Sequence, residues 1–216
     1  MSLIKDPKPK TKDLLCAILL AAGQSKRMGR LKPLLPFGEK TILESCTDSF
    51  TQAGVNSIVV VLGHQADTIK ERLGHLPVQF VLNPDSESEM GESIACGIRA
   101  LPAESEATFI TPADYPALPP SVIVDLAERW LRAEAKLLMP EYASRGGHPV
   151  LIDLCFREEL LNLDPGRGLR GFFEEHREQL QRIPVQSPFV ARDLDTWDDY
   201  RALHEEIFGT APPEET

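Results

Sequence analysis

Apolar positions along the chain come either as short unbroken runs or as helical stripes, and the two types take turns. LLCAILL at 14–20 is a continuous apolar run of buried-strand length. At 41–53, Thr41 and Glu44 form a capping box, and Ile42, Leu43, Cys46 and Phe50 mark one apolar face, which predicts a helix. SIVVVLG at 57–63 predicts a second buried strand, rich in β-branched residues and ended by a glycine. A short helix at 66–73, a strand at 78–82, the polar loop NPDSESEMG and a helix at 92–101 follow. Next come a strand at 107–111 and a long amphipathic helix at 121–133. KLLMP and HPVLI predict two later strands, and EYASRGG between them has loop composition. Helices at 156–161 and 169–176, a strand at 181–185 and a closing helix from Thr196 complete the order. This alternation predicts an α/β layered fold: one domain over 14–208, with disordered tails at 1–13 and 209–216.

Ligands of open α/β sheets sit outside the carboxyl ends of the strands. The loops after Leu20, Leu62, Leu82 and Thr111 are therefore expected on one rim.

Composition narrows what that rim can hold. The 216 residues are 42% hydrophobic and 26% charged, enough to bury a substantial core. A net charge of -10 speaks against a general nucleic-acid or acidic-membrane binder, because both need a basic surface. No apolar run reaches the roughly 18 residues of a membrane span. Cys16, Cys46, Cys96 and Cys155 each lie in an apolar stretch without a CxxC pair, and are expected as reduced core thiols of a cytoplasmic protein.

The first rim loop, LAAGQSKRMGRLKPLL, concentrates cations in a chain that is acidic overall: Lys26, Arg27, Arg30 and Lys32 fall within seven positions. Ala21, Ala22 and Gly23 let backbone N–H groups approach a ligand closely, and the cations behind them suit a triphosphate. The spacing is neither a P-loop nor GxGxxG. On spacing alone the loop reads either as a phosphate cradle or as a solvated basic turn.

Other rim residues are similarly open. Asp114, in TPADYPALPP, reads as a magnesium ligand or as a turn residue between prolines. In ARDLDTWDDY, capping of the last helix accounts for Asp198 and Asp199 but leaves Asp195 unexplained. Gly91 and Ser93, after Asn83, open either an anion site at a helix N-terminus or an ordinary capped helix. His148 in SRGGHPVLI is structural or acceptor-facing, and His64 in LGHQAD is read as structural.

LAAGQSKRMGRLKPLLPFGEKTIL resembles the signature loop of nucleotidyltransferases that activate sugars, alcohols and pterins with nucleoside triphosphates. Its LAAG, RMG and K-x-LLP elements are most similar to the molybdenum cofactor cytidylyltransferases within the MobA-like NTP transferases, and the resemblance spans 14–203. It implies a Rossmann-like three-layer sandwich with a mostly parallel mixed sheet, of the nucleotide-diphospho-sugar transferase type.

The resemblance also implies roles. Leu20, Ala21, Ala22 and Gly23 would contact base and ribose, and Arg27 and Lys32 would bind phosphates and stabilise the developing charge. Lys26 and Arg30 would be rim cations. PADYP matches the family's PAD-x-P, making Asp114 a magnesium ligand, and DLDTW resembles DxDTPxD, making Asp195 the second ligand. Trp197 stands where proline is usual, a change expected to affect how the helix begins. Asn83, Gly91 and Ser93 would hold the nucleotide, and Gly147 and His148, in the GHPV element, the acceptor.

Where the family carries G-D-x-G-x-R, this chain reads LDPGRGLRGFF, so Arg167 replaces an acid while Gly166, Gly168 and Arg170 remain. Arg167 and Arg170 are candidate acceptor contacts. The implied activity is transfer of CMP, in preference to GMP, from Mg-NTP to the terminal phosphate of molybdopterin, releasing pyrophosphate. A molybdoenzyme or its chaperone is a possible protein partner. A sugar- or alcohol-phosphate acceptor, or a non-catalytic cofactor-delivery role, are the alternatives. A glycosyltransferase is a poorer match, since Asp114 is not part of a DxD.

Overall fold

The computed structural model describes residues 12–23, 28–85 and 90–213. β1 (Leu15–Ala21) is buried along almost its whole length, so both of its faces must be covered. A hairpin follows, β2 (Pro36–Phe37) and β3 (Lys40–Thr41). α1 (Ile42–Gln52) starts where the sequence predicts: Glu44 N–H donates to Thr41 Oγ1, and Thr41 N–H donates to Glu44 Oε2. Then come β4 (Ser57–Leu62), α2 (Ala66–Leu73), β5 (Gln79–Leu82), α3 (Met90–Ala100), β6 (Ala107–Pro112) and α4 (Pro120–Leu131). The second half holds β7 (Leu137–Tyr142), β8 (Arg145–Gly146), β9 (Val150–Asp153), α5 (Arg157–Leu161), α6 (Gly168–Glu175), β10 (Leu180–Pro184) and α7 (Trp197–Phe208).

Among the described residues one eight-stranded sheet runs β10-β7-β9-β6-β1-β4-β5, with β8 paired to β7. β1 is parallel to β4 and β6, β4 to β5, and β10 to β7, while β9 is antiparallel to β6 and β7. Alternate residues of β1 enter two separate cores. Leu15, Ala17 and Leu19 pack with Phe50, Trp130 and Tyr200 from α1, α4 and α7. Cys16 and Ile18 pack with Ile94, Leu160 and Phe172 from α3, α5 and α6. Helices therefore cover both faces of a mixed, mostly parallel sheet. Each fully buried Leu, Ile or Phe contributes about 1.5–3 kcal/mol to that arrangement.

Three expectations need correction. Cys155 is exposed rather than buried, because Asp153 caps the turn Leu154–Phe156 through the Cys155 N–H, turning Leu154 and Phe156 inward and Cys155 out. EYASRGG is not only loop: Ala143 (φ 48) and Ser144 (φ 63) make a two-residue turn that pairs β8 with β7. Helix α3 begins at Met90, two residues before the sequence expectation. Of the expected tails, 1–11 and 214–216 lie outside the described residues. Beyond Gly209 (φ 71), the Thr210 carbonyl accepts from His204 Nδ1 at 2.7 Å. No helix among the described residues is long and apolar enough to cross a membrane.

Candidate active site

The sheet order reverses at β1, since β4 lies on one side of it and β6 on the other. The loops that follow β1 and β6 therefore open a crevice at the carboxyl edge. Ala113 N–H donates to the Leu20 carbonyl at 3.0 Å, which sets the loop bearing Asp114 directly beside the cation-rich loop. Ala21 is buried and Gly23 exposed as the chain leaves β1. A Cβ on Gly63, at the end of β4, would stand 2.6 Å from the Ala22 carbonyl oxygen, so only glycine allows this approach. Lys26 and Arg27 lie outside the described residues.

The loop re-emerges at buried Met28 and turns at Gly29 (φ 62). Lys32 then opens a short 3-10 turn, Lys32–Leu34, with Pro33 buried beneath it. Its Nζ lies 2.9 Å from Asp114 Oδ2 and 3.7 Å from Asp195 Oδ1. Lys32 and Asp114 keep 14% and 17% side-chain exposure, against 51% for Asp195. Residues 82 and 163 positions away in sequence thus converge on one ammonium group.

Burial raises the Asp114 carboxyl above its ordinary range, the Lys32 charge opposes this, and Asp193 and Asp195 reinforce it. Its Oδ1 is buried with no hydrogen-bond partner. An orphaned carboxylate oxygen beside a second carboxylate suits a hard divalent cation. Such a cation takes one or two protein carboxylates and completes its shell with water and phosphate oxygens. No cluster of three or more His, Cys, Asp or Glu side chains exists among the described residues to form a closed protein cage. Tyr115, next in sequence, is held protonated by burial and the nearby acids.

On the adjoining rim, buried Asn83 donates from Nδ2 to buried Ser93 Oγ at 2.9 Å, and Asn83 Oδ1 accepts the Asp85 N–H. The pair ties the end of β5 to the first turn of α3, where Gly91 also lies.

The residues expected on the acceptor side share one cleft. Gly147, His148, Arg167 and Arg170 all line a cavity of about 570 Å³, which Gly91, expected on the nucleotide side, also borders, with Met90, Met139 and Phe173 as its apolar wall. Gly147 is required there, because a Cβ would meet the Val190 carbonyl oxygen at 2.2 Å. The His148 ring lies 5.2 Å from the Tyr115 ring, which connects the cleft to the Asp114 loop. The arginines are less available than the sequence suggests. Arg167 pairs with Glu174 at 3.0 Å and Glu175 at 2.7 Å, and Arg170, 88% exposed, pairs with Glu174.

His148 supplies a pH test. Burial depresses its pKa below the ordinary 6.5, opposed by a backbone contact to Ile110 and by Asp193, and its Nδ1 has no partner. The folded chain thus favours neutral imidazole, whereas the unfolded chain protonates near 6.5. This stabilisation is complete above about pH 6.5 and is lost as pH falls through the lowered folded value. Melts of His148→Asn should show a shallower loss of stability between about pH 6.5 and 5 than the parent. An unchanged slope contradicts the assignment.

The lead into α7 supplies Asp193 and Asp195. Sequence reasoning passed over Asp193, yet its charge acts on Asp114, Tyr115 and His148 together. The DLD spacing was the signal for it. Thr196 caps α7, accepting the Asp199 N–H, while Asp199 accepts the Thr196 N–H. Thr196→Ala should cost about 1 kcal/mol, a fall of a few degrees in Tm by calorimetry. A Tm unchanged within error would mean the cap contributes nothing. The expectation for Trp197 also changes: the cap starts the helix without it, and the indole N–H donates instead to the Met28 carbonyl at 3.0 Å.

The mixed, mostly parallel sheet with helices on both faces is an α/β nucleotidyltransferase fold, matching solved structures that include a nucleotidyl transferase of Methanothermobacter (TM-score 0.77, 22% identity). Residues 17–180 match the MobA-like NTP transferase domain, and the chain belongs to that family. Over 203 residues it is 29% identical to nicotine blue oxidoreductase of Paenarthrobacter nicotinovorans, covering 88% of this chain and 98% of that one. Over 187 residues it is 27% identical to the molybdenum cofactor cytidylyltransferase of Escherichia coli, covering 85% and 92%. Rv0371c of Mycobacterium tuberculosis superposes with a TM-score of 0.80 at 24% identity, covering 90% of this chain and 100% of that one, and a second structure of it is a manganese complex.

Proposed function

We propose that this nucleotidyltransferase moves a nucleoside monophosphate, CMP in preference to GMP, from a nucleoside triphosphate to the terminal phosphate of a molybdopterin-type acceptor. The observation that carries the reading is the Lys32–Asp114 pair at the switch point, with Asp114 Oδ1 left unpartnered. Backbone groups from Leu20 to Gly23 would receive base and ribose, with Asn83, Gly91 and Ser93 on the facing rim. Lys32 and Arg27 would neutralise charge building on the α-phosphate and the departing pyrophosphate. Asp114 and Asp195 would hold magnesium, which when bound polarises the phosphate oxygens. The acceptor phosphate is already anionic near neutral pH, so no general base is required. Gly147, His148, Arg167 and Arg170 would flank the acceptor in the cleft. The reading treats 14–208 as one catalytic domain working in the cytoplasm, with a molybdoenzyme or its chaperone as recipient of the product.

The oxidoreductase relative favours a second reading, in which the same crevice serves a redox reaction instead of nucleotidyl transfer, with hydride transfer from a nicotinamide dinucleotide as the case to test. Titration of CTP, GTP, ATP and NADPH, with and without magnesium and read as shifts in Tm, separates the two. The transfer reading expects the largest stabilisation with CTP and a dependence on magnesium. Stabilisation by NADPH alone, indifferent to magnesium, would favour hydride transfer.

A further inference from the structure

Helix α7 lies beyond the matched family segment, which ends at 180. It nevertheless holds both ends of the stretch 28–38, which carries Arg30 and Lys32 of the cation-bearing loop. At the near end, the Trp197 indole N–H donates to the Met28 carbonyl, the last group before the chain turns at Gly29. At the far end, the Tyr200 hydroxyl donates to the Pro36 carbonyl, and Gly38 N–H donates to His204 Nε2 at 3.4 Å. Phe37 packs edge-on against His204 and Phe208, with ring centroids 5.9 and 4.9 Å away. Trp197, Tyr200, His204 and Phe208 fall at helical spacing on one face of α7. Lys32 stands between the two anchors.

Trp197 also packs against the core and against the Tyr200 ring, but neither contact uses its indole N–H. It occupies the first helical position, yet the Thr196–Asp199 capping box already fixes how the helix begins. Proline suits that first position, because its missing N–H has no intrahelical partner there. A tryptophan brings a large side chain whose one polar group is a donor, and here the donor reaches a loop 169 residues away in sequence.

We infer that Trp197 is a positioning residue for the nucleotide loop. By tying Met28 to the start of α7, it fixes where Lys32 stands relative to Asp114, and relative to Asp195 two residues before it. The claim rests on the reading of this loop as the triphosphate cradle, but its anchoring part can be measured without nucleotide.

The test uses the full chain and the variants Trp197→Phe, which keeps an aromatic ring without the N–H, and Trp197→Pro, which keeps a favourable helix start. Amide hydrogen exchange is followed over 28–38 without ligand, and Kd for CTP with magnesium is measured by calorimetry. Both variants should exchange several-fold faster over 28–35 and keep the parent's exchange in α7. Kd should rise about fivefold, the scale of one neutral hydrogen bond. Unchanged exchange over 28–35 overturns the inference. So does faster exchange spread evenly over the chain with a lowered Tm, since Trp197 would then only support stability. If the loop exchanges faster but the parent binds no nucleoside triphosphate, the anchor stands and the transfer reading falls.

Discussion

Asp114→Asn should lower kcat roughly 10²–10³-fold, the scale set by losing one preorganised electrostatic group at a reacting phosphate or carbonyl. Asparagine keeps the shape and the hydrogen bonding but cannot offer the anionic oxygen that magnesium would need. Burial already disfavours the charge on Asp114, so removing it relieves a desolvation cost and offsets the lost contact with Lys32. Lys32 would keep Asp195 at 3.7 Å. The variant is thus expected to melt within a few degrees of the parent while failing to turn over. Steady-state kinetics with varied magnesium, beside calorimetric melts, checks both halves. Normal turnover would overturn the proposed metal role of Asp114.

Lys32→Met should weaken both activity and stability. The loop loses the cation proposed to face the phosphates, so kcat/KM for the triphosphate should fall at least about 10²-fold. Asp114 is left with its burial unopposed. Stripping a partner from a fully buried pair costs about 3–5 kcal/mol, and the remaining solvent contact here reduces this to about 1–3 kcal/mol. Adding Asp114→Asn to Lys32→Met removes the stranded carboxylate, so the double variant should recover stability without recovering activity. That split distinguishes an electrostatic pair at a reacting centre from a merely structural one. If the double variant melts lower than both single variants, the two residues are not coupled in this way.

The parts of this fold that were legible in the sequence are those governed by local or periodic rules. The Thr41–Glu44 box and the Thr196 cap sit where their spacing indicates, because a helix start is decided within four residues. The continuous run before Ala22 read correctly as a buried strand, though its central place in the sheet was not read. The meeting of Lys32 with Asp114, across 82 residues, was accessible through the rule that parallel strands present their loops on one edge. What depended on side-chain direction was not legible. The cations of the LDPGRGLRG loop looked free, but Arg167 turns back to Glu174 and Glu175 on α6. The two-residue strands β2, β3 and β8 are too short to show an alternation. The demand for glycine at 63 and the Trp197–Met28 tie are contacts between distant segments that no local pattern encodes.

Release of pyrophosphate from a nucleoside triphosphate, followed with the purified chain, magnesium and molybdopterin, tests the central claim most directly. The account predicts release that requires magnesium and the acceptor together, is fastest with CTP, and disappears in Asp114→Asn. Absence of pyrophosphate with every triphosphate under those conditions, with NADPH oxidised by the same preparation, would contradict it.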